Sequence, residues 1–392
     1  MRLQFLHSLD EVSSTEWNAL VAGQNPFLSY EFLSALERHG CVGEHTGWLP
    51  HHVICYSEDG YLLGAVPLYL KFNSYGEFVF DWHWAEAYRQ RGLAYYPKFV
   101  GAIPYTPVTS ARLLLADGQA HPQKTASTMI DYILKEGRRH QVSSVHWLFP
   151  GAAELNAMRS QELLHRLGCQ FHWSNRGYRD FQDFLDTLTA KRRKNIKRER
   201  RKVDEANLEL RTLHGSEISA AQWHAIYKFY CSTFHRLGGI PTLTQSFFED
   251  IAMTMGDRIV LMLALGPQGQ EVAAAISFRS ETTLYGRHWG CHADYDSLHF
   301  EACYYQGLEY CIDHKLQRFE PGAQGEHKIY RGFLPTLTHS MHWIADPDFR
   351  RAIAHFLERE RSAIREYAQK LQQHSPYRDE VITDVTCVAG SQ

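Results

Sequence analysis

The sequence predicts an α/β (α+β) protein of two tandem halves, each a mixed, mostly antiparallel sheet flanked by helices. Three observations carry this. Helical and strand periodicities alternate along 392 residues, a length that holds two domains of ordinary size. A short segment recurs, PFLSYEFLSALE at 26–37 and PTLTQSFFEDIA at 241–252. Each copy is followed by a hairpin pattern and then by a stretch read as a strand ending in His-Trp, at 81–84 and at 286–289.

In the first half, Asn25-Pro26 makes a turn. Apolar Phe27, Leu28, Phe32, Leu33 and Leu36 then predict a short helix over 27–39, with Ser29 as its cap. Residues 52–56 and 61–70, separated by Glu58-Asp59-Gly60, read as an antiparallel hairpin. The stretch 71–110 is rich in Gly, Pro, Tyr and Trp; it reads as one strand over 78–84 and a long shaped loop. A helix over 127–140, a strand over 144–149 and a further helix over 151–167 follow. In the second half the spacing predicts a helix over 244–254, strands over 258–265 and 271–279 around a Gly-Pro-Gln-Gly turn, and a strand over 283–291. A helix over 301–315, strands over 317–320 and 338–344, and a charged helix over 346–373 complete the pattern. The expected domains are 1–180 and 207–375, joined by a basic amphipathic helix over 181–206 and followed by a loose tail over 376–392.

A net charge of −3 favours no partner by bulk charge. The eight Cys form no CxxC pair and no regular framework, so they read as reduced thiols. With no leader-like start and no long apolar run, the expected place is the cytoplasm, without a membrane span. No metal is expected. Cys291 to Asp296 packs its candidate ligands too closely for a tetrahedron, and His299-Phe-Glu301 lacks a Pro-Cys-x-x-Cys partner. Neither His-Glu-x-x-His nor Gly-x-Ser-x-Gly occurs.

The densest signal lies at 191–202, with nine bases and one acid. Phe181, Phe184, Leu185, Leu188, Ile196 and Val203 fall roughly on one stripe, so the run reads as an amphipathic helix continuing from Phe181. Like charges at helical spacing repel one another by a few tenths of a kcal/mol per pair. Concentrating them suits an anion site, for coenzyme phosphates or an RNA backbone, with Arg192, Arg193, Asn195 and Lys197 as candidate contacts. A solvated helix face is the plainer alternative.

The stretch FLDTLTAKRRKNIKRERRKV at 184–203, followed by FYCSTFHRLGGIP and SFFEDI, resembles the FemAB-like branch of the GNAT acyltransferases. DWHWAEAY, LAYYPK, HWGC, HFEACYYQ and EPGAQGEHKIYRGF strengthen the resemblance, which runs from about residue 25 to 375. It implies two tandem GNAT-like domains and transfer of an acyl or aminoacyl group to a small-molecule or peptide amine, with a link to peptidoglycan biosynthesis. Fem ligases take the amino acid from charged tRNA, whereas ordinary GNAT enzymes use acyl-CoA. Both are carried here as candidate donors, and no tightly bound cofactor is expected. One departure bears on the donor: residues 292–301, where the glycine-rich pyrophosphate loop of ordinary GNAT enzymes belongs, contain no Gly.

Amine acylation needs a base for the attacking nitrogen and donors for the developing oxyanion. His288 near a strand end, Glu301 at a helix start, where the helix dipole favours a carboxylate, and the Glu326/His327 pair are the candidate catalytic groups. Lys328 and Arg331, in the Gly-rich loop after the 317–320 strand, and Tyr304 are candidate binding groups of the same half. In the first half Asp81, His83, Trp84 and Glu86 are candidates for holding the acceptor. The rival reading is a non-catalytic RNA- or anion-binding or recognition module built from the same lobes.

Overall fold

In the computed structural model, which describes residues 1–23, 25–159 and 161–378, the two copies of the repeat start their helices alike. Ser29 Oγ accepts the N–H of Phe32 at 3.3 Å and Thr244 Oγ1 that of Phe247 at 3.2 Å. These bonds cap Tyr30–Arg38 and Gln245–Thr254. The chain divides into two compact units. One comprises Met1–Cys169 and Leu337–Tyr367; the other comprises Gln170–Thr336 and the chain from Ala368. The stretch 207–375 is therefore distributed over both.

In the first unit, Arg2–Leu6, His52–Tyr56, Leu62–Val66 and Leu114–Leu115 form an antiparallel sheet in that order. Beside it, Trp48–Pro50, Leu68–Lys71, Lys98–Gly101 and Ser144–Leu148 pair in sequence, only the last pairing being parallel. Ser340 to Ile344 then adds antiparallel to Ser144–Leu148. Helix Pro122–Arg139 buries Met129, Ile130 and Ile133 against Val53, Val66, Phe99 and Trp147. In the second unit, Glu209–His214, Ile259–Leu265, Glu271–Arg279 and Thr283–Cys291 form an antiparallel meander. Arg318–Glu320 joins it in parallel and pairs on its other side with Trp173 and Ser174. Its core gathers Trp173, Phe184, Leu188, Ile196, Tyr305, Leu308, Phe319 and Phe333.

Four expectations are corrected. The 78–84 stretch is no strand, because Asp81 leads into helix Trp82–Gln90. The alternation of Trp-His-Trp suits a strand, but Trp84 and Tyr88, one helical turn apart, are the two residues this segment buries. The helix over 151–167 ends at Arg159, and Leu164–Ser174 is an eleven-residue strand. The basic helix does not continue from Phe181. Phe181–Asp186 stops, and Ala190–Glu205 starts anew. Between them Thr187 Oγ1 donates to the Phe184 carbonyl at 2.6 Å, a side-chain bond that competes with helix propagation. Finally, the expected tail begins packed. Tyr377 is buried and its hydroxyl donates to the Gly332 carbonyl at 2.8 Å, while residues 379–392 lie outside the described residues. Strand Glu209–His214 and helix Ala220–Arg236 are elements the sequence pattern did not reveal.

Candidate functional site

Strand Thr283–Cys291 leaves its parallel neighbour early. The register runs through Thr283↔Arg318, Leu284↔Phe319 and Tyr285↔Glu320, and ends there. Pro321 has no N–H to continue a ladder, and Gly322 turns the chain at φ +95°. The segment that follows, Glu326–Arg331, is a tight turn between Gly325 (φ +109°) and Gly332 (φ +98°), backbone conformations that favour glycine. A Cβ at Gly325 would stand 2.6 Å from the His327 ring.

Four of the sequence candidates meet on this turn and the helix facing it. Arg331 is buried; it donates from Nη2 to the Glu199 carboxylate at 2.9 and 3.0 Å and from Nε to Tyr305 Oη at 3.0 Å. Its Nη1 reaches the His327 carbonyl at 3.0 Å, and the guanidinium lies 3.4 Å from the centre of the Phe300 ring. Tyr305 Oη also bonds Glu199 Oε2. Lys328, likewise buried, donates to the Gly322 carbonyl at 2.7 Å, and burial lowers its pKa to about 8. Tyr304 Oη and His327 Nε2 are 3.0 Å apart. Burial, then the nearby Arg331 and Lys328 charges, hold the His327 pKa below its ordinary value, so the ring is neutral at pH 7. His299, Phe300 and Tyr304 surround it with ring centroids 5.8–6.4 Å away, and Trp289 lies against His299 at 5.4 Å.

The other candidates of this half go elsewhere. His288 and Trp289 meet different neighbours, as successive strand residues on opposite faces do. His288 meets Tyr230 and Phe248 edge-on, and burial followed by the Arg287 charge pushes its pKa well down. Glu326 is exposed. Glu301 is buried on a wide π turn, Glu301–Tyr305, where burial raises its pKa. Arg200 at 3.1 Å and Gln306 at 2.8 Å hold it, rather than a regular helix N-terminus.

On Ala190–Glu205, Arg193 pairs with Asp186, Arg200 with Glu309 and Lys202 with Asp296, while Arg192 stacks 3.9 Å from the Tyr330 ring centre. Asn195 is half-buried. Lys191, Lys194, Lys197, Arg198 and Arg201 are exposed, and none pairs with a carboxylate among the described residues. At about 100° per residue they share an arc of about 120° opposite buried Ile196 and Val203.

In the first unit Asp81 belongs to a buried polar chain. Lys98 Nζ donates to Glu77 at 2.8 Å, to Ser74 at 3.0 Å and to Asp81. Tyr95 Oη donates to Asp81 at 2.6 Å and lies 3.4 Å from His146 Nε2. His146 meets Ser144 at 2.7 Å and His342 through their Nδ1 atoms, one ring donating and the other accepting. Trp84 packs 5.0 Å from the His342 ring. Burial opposes the Asp81 charge, but Lys98 outweighs it and leaves the carboxyl strongly acidic; burial raises Glu77 to about 7. His83 is exposed, and Glu86 turns to Arg89.

The sequence missed Glu199, Tyr305 and His299 here, and Lys98, Tyr95 and the His146–His342 pair in the first unit. Signals existed: Glu199 is the one acid in the basic run. His146-Trp147 and His342-Trp343 are two further His-Trp strands whose histidines prove to be cross-strand neighbours.

A model of FemAB-like proteins, described as peptidoglycan biosynthesis/recognition, matches residues 8–379. The chain belongs to the FemAB-like family. No curated protein matches it. Among solved structures the FemAB-like chain is similar to FemX, at 11% identity and a TM-score of 0.55 over 90% of this chain and 100% of that one. It is also similar to L-PGS from Bacillus licheniformis, at 10% identity and a TM-score of 0.51 over 88% and 97% of the two chains. The C-terminal domain of a putative lysylphosphatidylglycerol synthetase from Agrobacterium fabrum follows, at 8% identity and a TM-score of 0.50 over 90% and 96%. At such identities the likeness is one of fold, mixed sheets flanked by helices. No helix among the described residues of the FemAB-like chain is long and apolar enough to cross a membrane.

Proposed function

We propose that the FemAB-like chain is an acyl- or aminoacyl-transferase of cell-envelope metabolism. It moves an acyl group from acyl-CoA, an acyl carrier or aminoacyl-tRNA to an amine. The observation that carries the reading is the hydrogen bond between His327 and Tyr304, on the turn that follows the departure of Glu320-Pro321 from the strand ladder. With Nε2–H donating to the Tyr304 oxygen, Nδ1 holds a lone pair, and Gly325 keeps a Cβ from standing 3.0 Å from it. The amine nitrogen attacks the thioester or ester carbonyl. A C–N bond forms and the C–S or C–O bond breaks, while the amine proton passes to His327 and from it to the departing sulfur or oxygen, so that the thiol or alcohol leaves protonated and His327 is neutral again. Arg331 and Lys328, tied to Glu199, Tyr305 and Gly322, position the loop.

The test measures product by mass spectrometry from acyl-CoA and charged tRNA donors with amine acceptors. His327→Gln is expected to lower kcat by about 10²–10⁴-fold with little change in KM. In the wild type, activity falls only as pH drops through a His327 pKa below the ordinary ~6.5, because the proton acceptor must be neutral. Tyr304→Phe shifts that acidic limb. Full activity of His327→Gln overturns the assignment.

The exposed stripe of Lys191, Lys194, Lys197, Arg198 and Arg201 favours a second reading, a non-catalytic RNA- or anion-binding module. It replaces the first if no donor is turned over while salt-sensitive RNA binding disappears on changing these five residues to Gln.

A further inference from the structure

Residues 71–83 of the first unit turn their charged side chains inward and their aromatic side chains outward. Lys71, Glu77 and Asp81 are buried. Lys71 Nζ donates to Asn73 Oδ1 and to the Tyr75 carbonyl, both at 3.1 Å, and lies 3.9 Å from the Trp48 ring centre. Buried Lys98 pairs with both Glu77 and Asp81. Phe72, Tyr75, Phe78, Phe80 and Trp82, by contrast, are between 39% and 72% exposed. His83 is the one other residue of the segment with an exposed side chain.

Folding alone favours the reverse arrangement, because ions are costly to bury and large rings gain most from leaving water. Phe78 adds to the contrast. Its backbone stands at φ +59°, a left-handed conformation disfavoured for a residue with a Cβ, and its ring is nevertheless partly in solvent. Three of the rings form one continuous surface, with centroids 5.1 Å apart for Phe80 and Trp82 and 6.4 Å for Tyr75 and Trp82. Tyr75 bonds to protein through its backbone, while its hydroxyl and Trp82 Nε1 make no protein hydrogen bond among the described residues.

We propose that this aromatic face docks on the surface of a lipid bilayer, with its rings at headgroup level. Trp and Tyr are enriched at that depth, where the ring meets acyl chains and the N–H or O–H donor meets water and ester oxygens. A nucleic acid stacked on the rings needs cations beside them, and residues 71–83 expose no Lys or Arg side chain. A protein partner is met most often by aromatics together with Arg, and none is exposed here. A bilayer requires neither. No helix among the described residues is long and apolar enough to cross a membrane, so the contact is a surface one. Its strength comes from buried ring area and not from lipid charge, unlike the salt-sensitive binding that the basic stripe of Ala190–Glu205 would give.

Trp82 is the one exposed tryptophan of nine, so it can report the contact. The full chain is expected to co-sediment with phosphatidylcholine vesicles equally well at about 50 and about 500 mM salt. Vesicles of phosphatidylcholine brominated high in the acyl chain should quench part of the tryptophan emission. That part should be missing in Trp82→Phe, which still binds. Tyr75→Ser combined with Trp82→Ser should lower partitioning at least about tenfold, with an unchanged thermal midpoint because both side chains are exposed. Absence of co-sedimentation, or binding that needs phosphatidylglycerol and is abolished by salt, would overturn the assignment. So would equal quenching of wild type and Trp82→Phe, or partitioning unchanged in the double variant. A concentration-dependent dimer, seen by analytical ultracentrifugation and lost in the double variant, would give the face to a second copy of the chain instead.

Discussion

Glu199 stands alone as an acid among the bases of 191–202, and its partners show why an acid is needed there. It faces Arg331, 132 positions away, together with Tyr305, and so ties the basic helix to the loop that carries His327. Removing it leaves the Arg331 guanidinium, 6% exposed, without its counter-charge. Breaking such a pair from one side costs about 3–5 kcal/mol; the partial exposure of Glu199 argues for the lower end. Glu199→Ala is therefore expected to lower the urea midpoint by an amount equivalent to about 3 kcal/mol. Glu199→Ala combined with Arg331→Met should recover much of it, since no charge is then stranded. Equal losses in the single and double variants would show that the pair holds nothing. The composition of the run was legible from sequence, and Glu199 stood out in it. What it bonds was not, because the pairing is made by tertiary approach and leaves no local spacing.

Elements were legible where their pairing is local. The hairpin of His52–Tyr56 with Leu62–Val66 and that of Ile259–Leu265 with Glu271–Arg279 follow from alternation and short turns. Leu164–Ser174 was not legible, because its partner Arg318–Glu320 lies far along the chain and half of its pattern also suits a helix. Nor was the packing of Ala220–Arg236 onto Thr283–Cys291. Thr233 Oγ1 donates to the Trp289 carbonyl at 2.6 Å, and a Cβ at Gly290 would fall 1.9 Å from the Phe229 carbonyl oxygen. Backbone cannot yield there as a side-chain tip can, so Gly290 sets how closely helix and strand approach. Gly290→Ala should cost about 3 kcal/mol or more by forcing the two apart, at the upper end for overpacking. The change would be read as a lowered thermal midpoint. Because Trp289 lies against His299 beside the candidate site, lost activity should accompany it. A midpoint within experimental scatter of the wild type would mean that the helix moves freely on the strand.

At the scale of the whole chain, a near-neutral formal charge conceals titratable groups buried in both units, and their pH response differs from that of a protein with only surface charges. In the second unit Glu320 is 5% exposed, with Arg318 at 3.7 Å and His172 at 4.0 Å. Burial raises Glu320 to about 7 and lowers His172 to about 3. The folded chain thus keeps a proton on Glu320 that an unfolded carboxyl, with a pKa of ~4.3, would release. The stability this group contributes is complete below that value and is lost as pH rises through about 7. His172 acts in the opposite sense: its neutral form is held in the folded state, so its contribution is present above ~6.5 and is lost as pH falls through about 3. Glu320→Gln removes the first titration while keeping a group of the same shape. Urea midpoints between about pH 5 and 8 should then fall in the wild type relative to Glu320→Gln, and the pH of greatest stability should move upward in the variant. Parallel profiles for the two proteins would mean that Glu320 is already ionised in the folded state, with Arg318 and Arg287 compensating its burial.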